Sequence, residues 1–306
     1  MLRVRFVEKH KNFFTDNHNV SNYSNLEQNQ GLFIFFPTKY KYVIVDETEE
    51  ADICIVGIQH ENNALLRDSE LNVLICVENL TLGRTHYRHF NKFNKYDNEK
   101  LDLYFYNDVT YLTANTIPIP YCFIKQFKYM EYIYDPILQN SFDDKLFCLA
   151  ISKNNLNANK NKIIYDMARL GRIDHISSYN HILLNKSCYN SPELLGIFNR
   201  YKFIICVENS KTSGYLTEKI FNVFLSKSIP IYDGAPDIEE YINKDAFIKY
   251  DENYINKVML LSSSQDRYNS VIKQQKINTN KRFELFEKNL ANIFDGHLER
   301  KDISPK

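Results

Sequence analysis

The chain has 306 residues, 44% of them hydrophobic, enough apolar material for two separately cored domains and too much for a disordered polypeptide. Lysine plus arginine and aspartate plus glutamate balance at 38 each, so the basic excess of a nucleic-acid binder is missing. A local basic pocket for one small phosphate ligand remains compatible with zero net charge.

In chain order, the first half offers short runs rich in Val, Ile, Phe and Tyr bordered by Asp, Asn and Gly. Leu2–Val7, Lys41–Val45, Asp52–Gly57, Asn72–Val77 and Leu101–Tyr106 are predicted strands. Ile117-Pro118-Ile119-Pro120 is expected to break any regular element, and the proline-marked stretch Tyr134–Asp144 reads as a linker. A second unit then begins at Lys145. Its predicted elements are strand Leu146–Ile151, helix Asn161–Leu170, strand Arg172–Ser177 and a helix opened by Ser191-Pro192. Strand Tyr201–Val207, helix Thr217–Lys227 and strands Ser228–Tyr232 and Ala246–Tyr250 follow. Strands alternating with helices of about ten residues imply an α/β fold with a parallel sheet covered on both faces. Phe283, Phe286, Leu290, Ile293 and Phe294 fall on one helical face, a stripe expected to dock on the body of the protein. The expected domains are residues 1–134, 135–280 and a C-terminal helix and tail, 281–306.

None of the six cysteines forms a CxxC pair, and Cys54, Cys76, Cys148 and Cys206 sit inside apolar runs. Free thiols in a reducing compartment are expected, not disulfides or a metal site. The N-terminal MLRVRFVEKHKNFF lacks a signal-peptide core, and no run approaches the ~18–20 apolar residues of a membrane span. The expectation is a cytoplasmic protein without a transmembrane segment.

One internal echo bears on function. Ile75–Asn79 and Ile205–Asn209 both read ICVEN, and each ends a predicted strand with a Glu-Asn pair. Ligands of open α/β sheets bind outside the carboxyl ends of strands, so two facing sheets would bring Glu78-Asn79 and Glu208-Asn209 to one cleft. After the second copy, Ser210–Gly214 is a loop of small and polar residues, and Thr217 is the predicted N-cap of the following helix. Strand, loop and helix start make an anion site, because unpaired N–H groups and the helix dipole point at the ligand. Lys219 in the first turn opposes that dipole, which makes sense if an anion sits between them. Glu218 is placed to accept hydrogen bonds from sugar hydroxyls. No P-loop, GxGxxG, HExxH, GxSxG or Asp-x-Asp motif occurs.

The run YKFIICVENSKTSGYLTEKIFNVFLSKSIPIYDGAP resembles the signature of the α1,3/α1,4-fucosyltransferases, glycosyltransferase family 10. FCLAIS, ending at Ser152, and DAFIKYDE resemble the family's flanking segments, and NVLICVEN more weakly its GEN segment. The resemblance covers roughly residues 72–255. It implies a GT-B fold of two facing Rossmann-like domains and an inverting hexosyltransferase using GDP-β-L-fucose. The implied product is an α linkage to a GlcNAc- or glucose-type hydroxyl of a glycan, on protein or lipopolysaccharide. It implies Glu78 as catalytic base, and Ser152, Lys160, Glu208, Asn209, Tyr215, Thr217, Glu218 and Lys219 as donor-binding residues. No metal and no cofactor beyond the GDP-sugar donor is implied as essential.

The sequence departs from the family where Val77 replaces the Gly of GEN and where Lys160 stands for a diphosphate-binding Arg, keeping charge without the bidentate fork. Asp233, before Gly234, puts an acid where it would bear on which deoxyhexose fits. The alternatives are a GT-B transferase using another nucleotide sugar and a catalytically inactive nucleotide-sugar-binding protein.

Overall fold

The structure, a computed structural model, describes residues 2–7, 42–46, 48–57, 66–76, 102–106, 116–118, 141–152, 158–177, 192–278 and 292–303. The chain divides into two compact units, Met1–Lys125 with Thr279–Lys306, and Gln126–Asn278. No helix among the described residues is long and apolar enough to cross a membrane.

The first unit holds β1 (Leu2–Val7), β2 (Tyr42–Ile44), β3 (Ile53–Gly57), β4 (Leu71–Cys76), β5 (Leu103–Tyr106) and β6 (Thr116–Pro118). They form one sheet in the order β2-β1-β3-β4-β5-β6, with every neighbouring pair parallel. Consecutive residues Ile53, Cys54, Ile55 and Val56 are all buried, as in a central parallel strand covered on both faces. β6 corrects the expectation that Ile117-Pro118 breaks regular structure. Pro118 pairs with Tyr106 at the sheet's edge, where no outer strand among the described residues requires the missing N–H.

A fully buried ion pair joins β1 to the residue just before β4. Arg5 Nε donates to both Glu70 carboxylate oxygens at 2.9 Å, and Nη2 donates to Oε2 at 2.6 Å. Residues 292–300 are helical and belong to this unit. Phe294 and Leu298, one turn apart, are completely buried, and Lys301 Nζ reaches Glu70 O at 2.6 Å and Asp102 at 2.8 Å. Ile293, predicted on the docking face, is instead 42% exposed, because a 100° step from Phe294 carries it to the helix's outer side. Phe283, Phe286 and Leu290 lie outside the described residues.

The second unit runs β7 (Leu146–Ser152), α1 (Ala158–Ala168), β8 (Ile173–Ser177), α2 (Pro192–Asn199), β9 (Tyr201–Val207), α3 (Glu218–Leu225), β10 (Ile229–Asp233) and β11 (Ile248–Lys249). Helices α4 (Tyr254–Ser262) and α5 (Gln265–Ile272) complete it. Its all-parallel sheet has the order β11-β10-β9-β7-β8, with β9 central. The two-residue period of the strands divides their side chains between two faces. Phe203, Ile205 and Val207 join Cys148, Ala150, Ile229 and Ile231 in one core under α1, α4 and α5. Phe203 meets Phe147 and Tyr268 edge-on there, at 5.7 and 6.3 Å between ring centroids. α2 and α3 pack on β9 and carry none of this core cluster. α1 starts three residues before the predicted Asn161, which brings Asn159 and Lys160 into its first turn.

Candidate functional site

β9 delivers its chain to the carboxyl end of the sheet at Glu208, whose backbone N–H donates to Asp233 O at the end of β10, 2.8 Å away. The Glu208 side chain is 0% exposed. Its carboxylate accepts from Thr217 N at 2.8 Å, from Thr217 Oγ1 at 2.7 Å and from Lys219 Nζ at 2.8 Å. Thr217 has the extended backbone of an N-cap (φ −98°, ψ −176°), and its Oγ1 accepts from Lys219 N at 3.5 Å and from Nζ at 2.9 Å. A residue in the strand's exit thus fixes the first turn of α3 through contacts that span the loop between them.

This arrangement corrects one step of the sequence argument. A lysine in the first turn makes sense from sequence if a bound anion sits beside it; in the structure Glu208 already supplies a carboxylate there. Burial works to lower the Lys219 pKa, but the Glu208 and Glu218 carboxylates outweigh it and hold the ammonium above the usual lysine range. The Lys219 side chain is 30% exposed, with its ammonium held between Glu208 and Thr217. Glu208, predicted to touch the donor, faces inward and positions Thr217 and Lys219.

The loop between β9 and α3 is pinned at a point that sequence reasoning missed. Gly214 N donates to both Asp237 carboxylate oxygens at 3.0 Å, and Gly214 sits at φ 74°, where a side chain would be strained. Tyr215 follows, buried, while Asn209 is exposed and Glu218 half-buried. Lys160, in the first turn of α1, donates Nζ to the Ile151 carbonyl of β7. Desolvation, with a smaller push from Lys219, brings its pKa down to about 8. Ser152 closes β7, which pairs with β9. The structure therefore gathers Lys160, Glu208, Thr217 and Lys219 at neighbouring strand ends, with Asn209, Tyr215 and Glu218 on the same segment. Glu78 lies outside the described residues, as does the first ICVEN copy from Val77 onward.

Asp233 also departs from expectation. Its side chain is 7% exposed, and its oxygens are taken by Lys211 Nζ at 2.6 Å and Asn159 Nδ2 at 3.0 Å, so it is not open to a sugar hydroxyl. The adjoining Gly234 is required by packing. A Cβ there would lie 2.3 Å from Tyr232 Oη and 2.6 Å from Glu208 Cγ. Gly234→Ala is expected to cost about 1–3 kcal/mol, the range for overpacking a rigid interior. A urea unfolding curve checks this, and an unchanged midpoint would contradict it.

Residues 141–289 match the model of the C-terminal domain of glycosyltransferase family 10 (fucosyltransferase). An α-(1,3)-fucosyltransferase of Helicobacter pylori is 30% identical over 96 residues, 30% of this chain and 20% of that protein. α-(1,3)-Fucosyltransferase B of Drosophila melanogaster is 38% identical over 97 residues, 29% of this chain and 21% of that protein. The matches thus span about a fifth of each relative's length. A crystal structure of an α1,3-fucosyltransferase with GDP superposes with a TM-score of 0.64 at 16% identity, covering 97% of this chain and 90% of that one. That likeness is one of fold, the α/β GT-B class expected from the sequence. Across residues 141–289, then, the chain is similar to the C-terminal domain of the glycosyltransferase family 10 fucosyltransferases, and its fold is that of a solved α1,3-fucosyltransferase.

Proposed function

We propose that the chain transfers L-fucose from GDP-β-L-fucose to a hydroxyl of a glycan acceptor, of GlcNAc or glucose type, with inversion to an α linkage. The observation that carries this reading is the first turn of α3, where Glu208 fixes Thr217 and Lys219 inside the family-matched residues. In this reading the donor's diphosphate lies at the helix start. Backbone N–H groups and Lys219 steady the charge that develops on departing GDP, and Lys160 adds to it. Glu78 takes the proton from the attacking acceptor hydroxyl as fucose transfers in a single displacement. The lysines supply the positive charge at the diphosphate, so a divalent metal is not essential. A reducing, cytoplasmic setting fits the buried free thiols of Cys148 and Cys206.

The test is a donor screen across GDP- and UDP-sugars against a glycan array. GDP-fucose should be consumed fastest and leave an α-fucosylated product; faster turnover of any other nucleotide sugar would overturn the donor assignment. EDTA is expected to leave the rate unchanged. Its loss without unfolding, restored by added metal, would contradict the metal-independent mechanism.

A further inference from the structure

Two buried carboxylates, not one, present a lysine at the carboxyl end of this sheet. β9 and β10 run in parallel with Val207 in register with Asp233, so Glu208 and Asp233 leave adjacent strands at nearly the same level. Glu208 holds Lys219 at 2.8 Å and Asp233 holds Lys211 at 2.6 Å. The acids are 0% and 7% exposed, and the lysines 30% and 52%. In both pairs the acid is the more buried partner.

The second pair is not explained by stability. Burying an ionised carboxylate is unfavourable unless it is well paired, and holding a long surface lysine costs rotamer entropy. Asp233 is nevertheless braced on its other oxygen by Asn159, in the same helical turn as Lys160. Ser210 Oγ and Thr212 Oγ1 bond each other at 2.7 Å, bracing the loop on both sides of Lys211. An ammonium has three N–H donors, so one spent on Asp233 leaves others for ligand oxygens. Fixing a half-exposed cation in this way is useful when its position matters to an anion.

We propose that Lys211 is a second phosphate-binding lysine of the nucleotide-sugar site, set in place by the positioning residue Asp233, with Asn159 orienting that carboxylate. The donor diphosphate would then be gripped from the β9–α3 loop by Lys211 and from the helix start by Lys219. This assignment rests on the nucleotide-sugar reading above.

Calorimetric titration of GDP into the wild type, Lys211→Ala, Lys211→Arg and Asp233→Asn, at low and high salt, tests it. Lys211→Ala should weaken binding about tenfold, as expected for one charge-assisted hydrogen bond, and flatten its salt dependence. Lys211→Arg should stay within about threefold, because the charge is kept. Asp233→Asn supplies the sharper sign. Deleting a negative charge beside an anion should tighten binding by electrostatics alone; loss of positioning predicts weaker binding. Lys211→Ala indistinguishable from wild type in affinity and salt dependence, or tighter binding by Asp233→Asn, would overturn the assignment while leaving the donor reading intact. Wild-type protein that bound no GDP would overturn the donor reading and this assignment together.

Discussion

Glu208→Ala is expected to lower kcat/KM for GDP-fucose by about a hundredfold and to destabilise the second unit by about 3 kcal/mol. Both effects have one origin. The substitution removes the acceptor for Thr217 N, Thr217 Oγ1 and Lys219 Nζ, leaving a buried amide and hydroxyl without that partner. Lys219 is 30% exposed, which keeps the stability loss at the low end for breaking a buried pair, since water recovers part of its solvation. The kinetic loss is larger than that of a surface lysine because the first turn of α3 loses its geometry as well as its charge placement. Glu208→Gln separates the two in part: its amide oxygen can still accept from Thr217 N, but its NH2 cannot accept from Lys219 Nζ and its negative charge is gone. It should be less destabilised than Glu208→Ala and still bind donor more than tenfold more weakly. Donor affinity unchanged in Glu208→Ala would show that the start of α3 is not where the donor binds.

Glu78→Gln is expected to reduce kcat by about 10²- to 10⁴-fold while GDP affinity stays at the wild-type level. β4 ends at Cys76 in the interior of its sheet, two residues before Glu78 and at the carboxyl end of a parallel strand. Glutamine matches the shape of the carboxylate but cannot take a proton, so the loss should appear in kcat. Stopped turnover with intact GDP binding assigns the base; a wild-type kcat would remove Glu78 from that role.

The strands were legible because a parallel strand covered on both faces is a continuous apolar run. β1 and β9 have the predicted bounds, and β7 and β10 differ by a residue at one or both ends. α4 was missed for a specific reason. Tyr254, Val258 and Leu261 carry an i, i+4, i+7 stripe, but exposed Met259 and Leu260 make the helix apolar nearly all round and blur its period. α5 is largely polar, and only its cap signal, Ser264 accepting from Arg267 N, marks its start.

The site divides in the same way. Thr217 as N-cap is local chemistry and was readable from residue types. The grip of Glu208 on Lys219 crosses a loop, Gly214 meets Asp237 23 positions later, and Asp233 meets Asn159 74 positions earlier. Such contacts are made by strand order, which residue spacing along the chain does not encode. Sequence reasoning casts Glu208 and Asp233 as groups facing the ligand, where the fold uses them to hold Lys219 and Lys211.

The central claim is that the donor's diphosphate sits at the first turn of α3. Following backbone amide resonances while GDP is added tests it most directly. The largest shifts are expected at residues 217–220, saturating with added GDP and reproduced by GDP-fucose. Saturated binding that leaves 217–220 unmoved, with the largest shifts in another part of the chain, would contradict it.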